Sequence, residues 1–348
     1  MGEVAEPQGQ RPNVYQVAQR AGVSIATVSR VLSGTGPVAP ETKMRVLEAA
    51  ASLKWRPSRI ARALAGEKHA AVAIVFPDLS GPYYAEVIRG FEEAAVEHGS
   101  ATFVLATHGR DNGDEMVREL AERCDGVVIM GRTVSDELVS ELVGLGAPVV
   151  VLARPPVSAA PAVRSENRAP SLSLTSHLLE HGRRRLHFLG DPALSPDLQR
   201  RWLGFAEAHR AAGLAAPDEP DVCGGFEEEH GYKAALDLLQ RDGEVDGLVC
   251  GNDQLASGAY RAAETSGAAI PGDVAVTGWD GIAASRLLVP ALTTVRQPMR
   301  ELGATACRLL VQRIERPEEI PHNVTLPTEV IIRSSCGCPS RQGESYET

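Results

Sequence analysis

Six short apolar runs, five of which end in Gly or Asp, constrain the fold of this 348-residue chain more than any other feature. They read AVAIVFPD, CDGVVIMG, APVVVLAR, RLHFLGD, DGLVCGND and DVAVTGWD. Continuous apolar runs of this length are typical of strands buried on both faces of a parallel sheet. Because amphipathic helical stretches lie between them, the pattern predicts an α/β fold with crossover helices.

A weak internal repeat divides this α/β region. The segment GFEEA at 90–94, followed by Gly99, is matched by GFAEA at 204–208, followed by Gly213. Each copy follows an apolar run and a polar loop, so we expect two similar parallel-sheet lobes. The strand ends of two such lobes face a common cleft, where small ligands bind.

The window from Asn13 to Leu32, NVYQVAQRAGVSIATVSRVL, predicts two short helices joined by a tight turn. Gly22 can adopt the left-handed conformation that ends the first helix. Asn13 and Ser24 are the expected N-caps, and a third helix is predicted from about Pro40 to Lys54. The residues predicted to face inward are Val14, Val17, Ala18, Ala21, Val28 and Val31.

Charge separates this N-terminal region from the rest of the chain. Residues 1–68 contain ten Lys/Arg and five Asp/Glu, a net charge of +5, whereas the whole chain carries −10 and residues 69–348 therefore carry −15. A basic head on an acidic body is typical of nucleic-acid-binding proteins. An ordinary helical hairpin within a larger core is the alternative, and the basic context favours DNA binding.

Three segments carry a family resemblance. AGVSIATVSRVL, VAPETKMRVLEAAASL and WRPSRIARALAG stand in the order and spacing of the LacI/GalR family of bacterial transcription regulators, which the chain resembles from about Pro12 to Gly337. Ala39 and Lys54 depart from the family's capping serine or threonine and its glycine. The resemblance implies a helix-turn-helix domain at 1–56, a hinge at 57–69, a bilobal periplasmic-binding-protein-like effector and dimerisation domain at 70–338, and a polar tail at 339–348. Lobe one would contain about 70–165 and 296–326, and lobe two about 166–295 and 327–338.

The second helix is expected to read DNA in the major groove. Its outer side is predicted to present Ser24, Ile25, Ala26, Thr27, Ser29 and Arg30. Ile25 and Ala26 can contact a thymine methyl, and Arg30 can bind guanine. Asn13, Thr27 and Ser29 are expected to hold phosphates, which fixes orientation without reading sequence.

The segment RIARALAG is short and alanine-rich, so it predicts a helix that forms only on a partner. DNA is the expected partner, with Arg59 and Arg62 against phosphates. By the resemblance, Leu64 is the residue that enters the minor groove and kinks the duplex. A plain interdomain linker is the alternative interpretation of this segment.

The resemblance also names candidates for the ligand cleft. Sugar-binding members carry aspartate where this chain has Ala153, arginine where we align Gln199, and aspartate where it has Glu166. These departures argue against a simple hexose effector, and they leave either a differently charged site or a lost ligand response. The predicted effector-binding residues are Tyr83, Tyr84, Arg154, Glu166, Gln199, Phe226, Asn252 and Asp280, with Asp253 as a further polar candidate.

Catalytic and metal chemistry find little support. The chain has no P-loop, GxSxG or HExxH pattern, so neither an enzyme nor a cofactor is predicted. His177 and His181 stand four apart on a predicted helix, but such a pair is more often a solvated face. Cys336-Gly337-Cys338 is a weak metal or redox signal, and six cysteines are no disulfide framework in a chain of this size. No metal site is predicted.

The predicted function is a sequence-specific transcriptional repressor. It would bind a near-palindromic operator on duplex DNA as a homodimer, under the control of a small-molecule effector, a sugar or another metabolite, between the lobes. Without an apolar signal segment or an 18-residue apolar run, a cytoplasmic, nucleoid-associated protein with no membrane partner is expected. The alternative is a solute-binding receptor with no DNA role, which would need export and would have no use for a basic head.

Overall fold

The computed structural model describes residues 14–33, 37–53, 71–221, 224–241, 245–319 and 322–339. The chain divides into two compact units, residues 1–70 and 71–348. Several sequence-based predictions lie outside the described residues, namely those for Asn13, Lys54, Arg59, Arg62, Leu64, the hinge and most of the polar tail.

Within its described residues, the N-terminal unit contains three helices, α1 (Val14–Ala21), α2 (Ile25–Ser33) and α3 (Pro40–Ser52). The predicted inward residues are confirmed, except that Val14 is only partly buried. Gly22 has φ +61°, and the following amide of Val23 donates to the carbonyl of Ala18 at 3.0 Å, which closes α1 as predicted. The core of the unit consists of Val17, Ala18, Ala21, Val28, Val31, Val46, Ala49 and Ala50.

The third helix departs slightly from its prediction. It ends at Ser52, with Leu53 as its C-cap, two residues before the predicted end. At its start, Ala39 supplies no side-chain cap, because a methyl group has no acceptor for the free amides of the first turn. Pro40 at the first helical position suits the fixed φ of a helix start.

Lobe one is built on a six-stranded sheet. Its strands are β1 (Ala71–Phe76), β2 (Ala101–Ala106), β3 (Gly126–Met130), β4 (Val149–Leu152), β5 (Ala162–Ser165) and β10 (Val324–Leu326). Their order is β10-β5-β4-β3-β1-β2, and every neighbouring pair is parallel. The helices of this lobe are α4 (Pro82–Glu97), α5 (Gly113–Arg123), α6 (Asp136–Gly144) and α11 (Met299–Glu315).

Lobe two is built on a five-stranded sheet with the order β11-β9-β8-β7-β6. Its strands are β6 (Leu186–Leu189), β7 (Gly247–Cys250), β8 (Ala275–Asp280), β9 (Thr293–Arg296) and β11 (Glu329–Ile331). Its helices are α7 (Arg168–Glu180), α8 (Pro196–Ala211), α9 (Glu228–Leu239) and α10 (Asp253–Ser266). The edge strand β11 pairs antiparallel to β9, an exception to the predicted parallel sheet.

All six apolar runs form buried strands, as predicted, and they are β1, β3, β4, β6, β7 and β8. The sequence analysis missed β2, β5, β9, β10 and β11. Strand β2 lies at a sheet edge, where Phe103 and Val104 are exposed, so it lacks a continuously buried run. The remaining missed strands are only three or four residues long.

The internal repeat corresponds to helices α4 and α8, which begin in the same register. Pro82 and Pro196 are their first residues, and Gly90 and Gly204 each stand eight residues later. Both glycines lie where one helix touches the next. The first turn of each helix therefore lines the cleft between the lobes.

Candidate functional site

A cleft lies between the two lobes, at the C-terminal ends of their parallel strands. Its empty space, including the open mouth, is about 740 Å³. From lobe one the lining includes Asp78, Tyr83, Tyr84, Arg132 and Ala153. From lobe two it includes Asp197, Arg201, Phe226, Asn252 and Asp280.

The lobe-one wall is aromatic and begins on α4. Tyr83 and Tyr84 pack edge to face with ring centroids 5.5 Å apart, and the hydroxyl of Tyr84 donates to Asp78 at 3.4 Å. Burial raises the pKa of both tyrosines above the ordinary value. Both phenols therefore stay neutral and offer hydroxyl groups beside their rings.

A cation–π contact crosses the cleft. The guanidinium of Arg132, which follows β3 in lobe one, lies 4.2 Å from the ring centre of Phe226 in lobe two. This distance is that of a cation–π interaction. Phe226 was predicted for the cleft, but Arg132 was missed, because its partner is almost a hundred residues away and no local pattern marks the pair.

Arg201 is the centre of the lobe-two wall. It is 5% exposed, and it donates from Nε to Asn167 Oδ1 at 2.8 Å and from Nη1 to the carbonyl of Gly251 at 2.6 Å. Its guanidinium also stacks 4.4 Å from the ring centre of Trp279. These contacts fix a rigid donor fork in the floor of the cleft.

Two buried carboxylates accompany this arginine. Asp197 Oδ1 accepts from Asn167 Nδ2 at 3.0 Å, and Asp280 Oδ1 accepts from Gln297 Nε2 at 2.7 Å. Burial raises the pKa of Asp197 to about 6 and that of Asp280 to about 6, although Arg201 acts in the opposite direction on both. The cleft therefore places hydrogen-bond acceptors and a fixed cation against an aromatic wall.

Asn252 and Asp280 end neighbouring strands of lobe two, as the sequence predicted. Asn252 caps α10 by accepting from the amide of Leu255 at 2.8 Å, and it donates to the carbonyl of Phe226 at 3.0 Å. Asp280 has φ +109°, a strained conformation for a residue with a β-carbon. The surrounding contacts hold it there, which aims its carboxylate at the cleft.

The helix-turn-helix unit presents a small, mostly uncharged surface. Ser24 is the N-cap of α2, as predicted, since its Oγ accepts from the amide of Thr27 at 3.1 Å. Ile25, Ala26 and Arg30 are exposed. Thr27 and Ser29, expected on the outer face, are only half-exposed, because their positions turn toward the flank of the helix.

Comparisons with known proteins agree on one family. Residues 13–58 match the model of the bacterial regulatory proteins, lacI family, and residues 175–336 match that of the periplasmic binding protein-like domain. The ribose operon repressor of Halalkalibacterium halodurans is 32% identical over 337 residues, which span 96% of this chain and 98% of that protein. This chain belongs to the LacI family.

Solved structures support the assignment of this LacI-family chain. A complex of the transcriptional regulator CelR with cellobiose is 30% identical with a TM-score of 0.72, covering 93% of this chain and 100% of that one. A lac repressor dimer bound to operator and the anti-inducer ONPF is 26% identical with a TM-score of 0.78, covering 94% and 99%. The predicted fold is confirmed, and the chain is a DNA-binding transcriptional regulator rather than an enzyme or a transport receptor.

Gln199 does not take the place of a cleft arginine in this LacI-family chain. Gln199 is exposed, and Arg201, two residues later, lies in the cleft. Because a helix repeats every 3.6 residues, Arg201 shares the face of Asp197, whereas Gln199 points away from it. The sequence prediction placed the arginine position two residues too early and was wrong.

Three further predicted cleft residues have structural contacts elsewhere. Glu166 Oε1 accepts from the amides of Asn167 at 3.0 Å and Arg168 at 2.9 Å, so it caps α7. Arg154 is buried against the carbonyl of Val134 and pairs with Asp136. Neither Glu166 nor Arg154 lines the cleft, and the predicted differently charged site is not formed by them.

Asp253 is likewise buried outside the cleft lining. It accepts from the amide of Ile282 at 2.9 Å and from the hydroxyl of Thr294 at 2.6 Å. Burial, followed by the nearby charge of Asp280, raises the pKa of Asp253 to about 8. It thereby ties the start of α10 to the loop after β8 and to strand β9.

Among the residues that the structure describes, no helix has both the length and the apolar character needed to cross a bilayer.

Proposed function

We propose that this LacI-family chain represses transcription by binding a near-palindromic operator as a homodimer, and that a sugar-like ligand in the cleft controls this binding. The observation that carries the proposal is the exposed face of α2, with Ile25 and Ala26 in its first turn and Arg30 near its end, on a unit of net positive charge. A small apolar surface followed by an arginine fits the floor of a major groove.

The DNA contacts follow from the exposure of these side chains. Ile25 and Ala26 contact thymine methyl groups, and Arg30 binds a guanine edge. Ser24, Thr27 and Ser29 lie at the helix flank and start, where they suit phosphate contacts. The roles assigned from the sequence remain part of the proposal: phosphate contacts for Asn13, Arg59 and Arg62, and minor-groove insertion for Leu64.

Two heads are needed for useful specificity, because a single head makes too few contacts with bases. In a homodimer, two α2 helices enter successive major grooves of a two-fold operator. The division into a head at 1–56, a hinge at 57–69, a bilobal body at 70–338 and a tail at 339–348 is part of this proposal. The two sheets support the lobe boundaries, because β10 joins the first sheet and β9 and β11 join the second.

The cleft chemistry fits a polyhydroxyl ligand. The carboxylates of Asp197 and Asp280 accept hydrogen bonds from sugar hydroxyls, and Arg201 donates to a ring or hydroxyl oxygen. Tyr83, Tyr84 and Phe226 offer apolar faces to the C–H side of a sugar ring. Arg201 supplies the cation that the sequence analysis sought at Gln199, so within the cleft lining only Ala153, which lacks the carboxylate of sugar-binding members, still argues against a hexose.

Ligand control acts through the angle between the lobes. A ligand that contacts both walls favours the lobe arrangement in which those contacts form together. The Arg132–Phe226 contact already bridges the walls, so a ligand beside it shifts an existing equilibrium.

The location that suits this function is the cytoplasm, on the nucleoid.

DNA binding is tested by selecting bound sequences from random duplexes with the full-length chain, followed by gel shifts at graded salt. Affinity falls steeply with salt because phosphate contacts release counterions. Arg30→Ala lowers affinity for the selected site by about 5- to 150-fold and relaxes the preference at one base pair in each half-site.

The matched control is Lys43→Ala, which removes one exposed positive charge from α3. It leaves the base preference unchanged. Selection of no common sequence by the wild-type chain, or an Arg30→Ala variant with unaltered preference at every position, would contradict the proposed readout.

A further inference from the structure

Two histidines and two cysteines meet at the outer end of lobe two, far apart in sequence. His177 lies in the last turn of α7, and His181 is the C-cap of that helix. Cys336 and Cys338 belong to the turn that follows β11. Both are thiols rather than members of a disulfide, and none of the four residues lines the cleft.

The potential ligand atoms are already close together. His177 Nε2 lies 3.3 Å from Cys336 Sγ and 3.6 Å from Cys338 Sγ, and His181 Nε2 lies 3.4 Å from Cys338 Sγ. The ligand atoms of His177, His181 and Cys338 all lie within 4.8 Å of one another. The helix brings the histidines to one face, since residues four apart are neighbours there.

Three of these separations match edges of a metal tetrahedron, whereas Cys336, which donates from Sγ to the carbonyl of Arg333 at 3.2 Å, lies outside the mutually close group and must turn toward it to complete the site. With bonds of about 2.3 Å to sulfur and about 2.0 to 2.1 Å to nitrogen, tetrahedral angles place the sulfur and nitrogen atoms about 3.5 Å apart. The three sulfur–nitrogen distances of 3.3, 3.6 and 3.4 Å fall on both sides of that value. Two imidazoles and two thiolates are a donor set that selects zinc over harder cations.

The backbone of the turn supports this arrangement. Gly337, between the two cysteines, has φ +106°, a conformation that residues with a β-carbon rarely adopt. Its amide donates to the carbonyl of Ser334 at 3.2 Å, which closes the turn around the cysteines. Cys336 is buried and Cys338 is partly exposed, so the cluster is shielded on one side and accessible on the other.

We propose that His177, His181, Cys336 and Cys338 form a tetrahedral site for a thiophilic divalent cation, zinc in the cell. Binding releases the two thiol protons and involves no change of oxidation state. The metal would fasten the segment after β11 to the end of α7 and so stabilise lobe two. The sequence analysis rejected a metal at the histidine pair because it could not place the cysteines, about 160 residues later, beside it.

The test uses the full-length chain without an affinity tag, reduced and freed of metal, and titrated with Co²⁺ as a spectroscopic probe. We expect one equivalent to bind and to give the intense visible bands of tetrahedral cobalt, with charge-transfer bands from thiolate. Zn²⁺ displaces the cobalt and raises the midpoint of thermal unfolding, because it binds the folded state.

Two variants remove single ligands. His181→Ala and Cys338→Ser each lower Co²⁺ affinity by roughly a hundredfold or more, since the loss of supporting residues alone lowers metal affinity 10- to 100-fold. The matched control is His98→Ala, because His98 is the exposed C-cap of α4 as His181 is the C-cap of α7. It leaves cobalt binding unchanged. Cys338→Ser keeps the side-chain volume, so it reports on the site even if His181→Ala fails to fold.

Three results would overturn the proposal. The first is a wild-type chain that binds no cobalt under reducing conditions. The second is binding without thiolate charge-transfer bands. The third is equal affinity in the wild type and in a folded Cys338→Ser variant.

Discussion

Helices α4 and α8 repeat one pattern of packing residues, but they present different side chains to the cleft. Their packing positions agree, with Gly90 beside Phe91 in lobe one and Gly204 beside Phe205 in lobe two, and both phenylalanines are fully buried. Their first turns differ. Tyr83 in α4 has the same register position as Asp197 in α8, counted from the first proline of each helix.

The second difference lies one turn further along each helix. Val87 of α4 corresponds to Arg201 of α8; the valine is buried in the lobe-one core, whereas the arginine reaches the cleft. The repeat therefore preserves how the helix packs, and the unrepeated residues decide what each lobe offers a ligand. Lobe one contributes aromatic surface, and lobe two contributes charge and directed hydrogen bonds.

The largest expected effect tests this division directly. Arg201→Met keeps an unbranched side chain, although a shorter one, removes the donors to Asn167 and Gly251 and leaves two buried carboxylates without their cation. Breaking such a buried pair destabilises a protein by about 3 to 5 kcal/mol. We expect ligand affinity, measured by calorimetry with a sugar panel, to fall by about 10- to 150-fold.

The control for this change is Arg200→Met, which makes the same substitution at the neighbouring, exposed position of α8. It should leave both stability and ligand affinity close to those of the wild type. If Arg201→Met binds the same ligand with unchanged affinity, the charged chemistry of the cleft does not reside in lobe two.

The second prediction concerns what the two helices share. A β-carbon on Gly90 would lie 1.8 Å from the carbonyl oxygen of Arg300, and one on Gly204 would lie 2.3 Å from that of Arg168. Because backbone atoms cannot move aside cheaply, Gly90→Ala and Gly204→Ala should each destabilise the chain by about 1 to 3 kcal/mol, or more.

Urea unfolding measures both variants, and Gly144→Ala is the control. Gly144 is the last residue of α6, and a β-carbon there meets nothing within 4 Å. Alanine at that position should be neutral or stabilising. If only one of Gly90→Ala and Gly204→Ala lowered the free energy of unfolding, α4 and α8 would not share one mode of packing.

The sequence predicted most where signals are local. Gly22 ends one helix and Ser24 starts the next, all within three residues. The buried strands are likewise recognisable as continuous apolar runs. The cleft was predicted only in part. Arg201 was missed because assigning it needed the exact helical register relative to Asp197, and Arg132 because its contact with Phe226 joins two lobes. Such contacts depend on tertiary packing, which no short window of sequence encodes.

The third prediction uses the charge of the lobe-two wall. Burial raises the pKa of Asp197 and Asp280 to about 6 in the folded chain, above their ordinary value. The carboxylates accept ligand hydroxyls only when ionised, so affinity should be constant above pH 7 and fall by up to about tenfold per unit below pH 6 for each proton taken up. Calorimetry between pH 5 and 8 checks this.

The free energy of unfolding should change with pH in the opposite direction to the ligand affinity, increasing as the pH falls. A folded-state pKa raised by burial contributes stability that is fully present below the unfolded-state pKa and is lost as the pH rises through about 6. Asp280→Asn removes this contribution, and the difference between wild type and variant isolates it from other titrations. A ligand affinity that stays flat from pH 8 to pH 5 in the wild type would show that the carboxylates do not contact the ligand.

The smallest expected effect comes from the first residue before each helix. Ser195 caps α8, since its Oγ accepts from the amide of Asp197 at 3.2 Å, whereas Gly81 offers α4 no side chain. Gly81 has φ +87°, so a serine there would be strained, and lobe one starts its helix without a cap. Ser195→Ala should destabilise the chain by about 1 kcal/mol and weaken ligand binding severalfold, because the cap also fixes the backbone of Asp197.

Ser135→Ala is the control, because it removes the equivalent cap of α6, where Ser135 accepts from the amide of Leu138 at 3.3 Å. That residue does not line the cleft, so its loss should lower stability by a similar amount and leave the ligand affinity unchanged. Equal effects of the two substitutions on ligand affinity would show that the start of α8 serves the packing of lobe two and not the chemistry of the cleft.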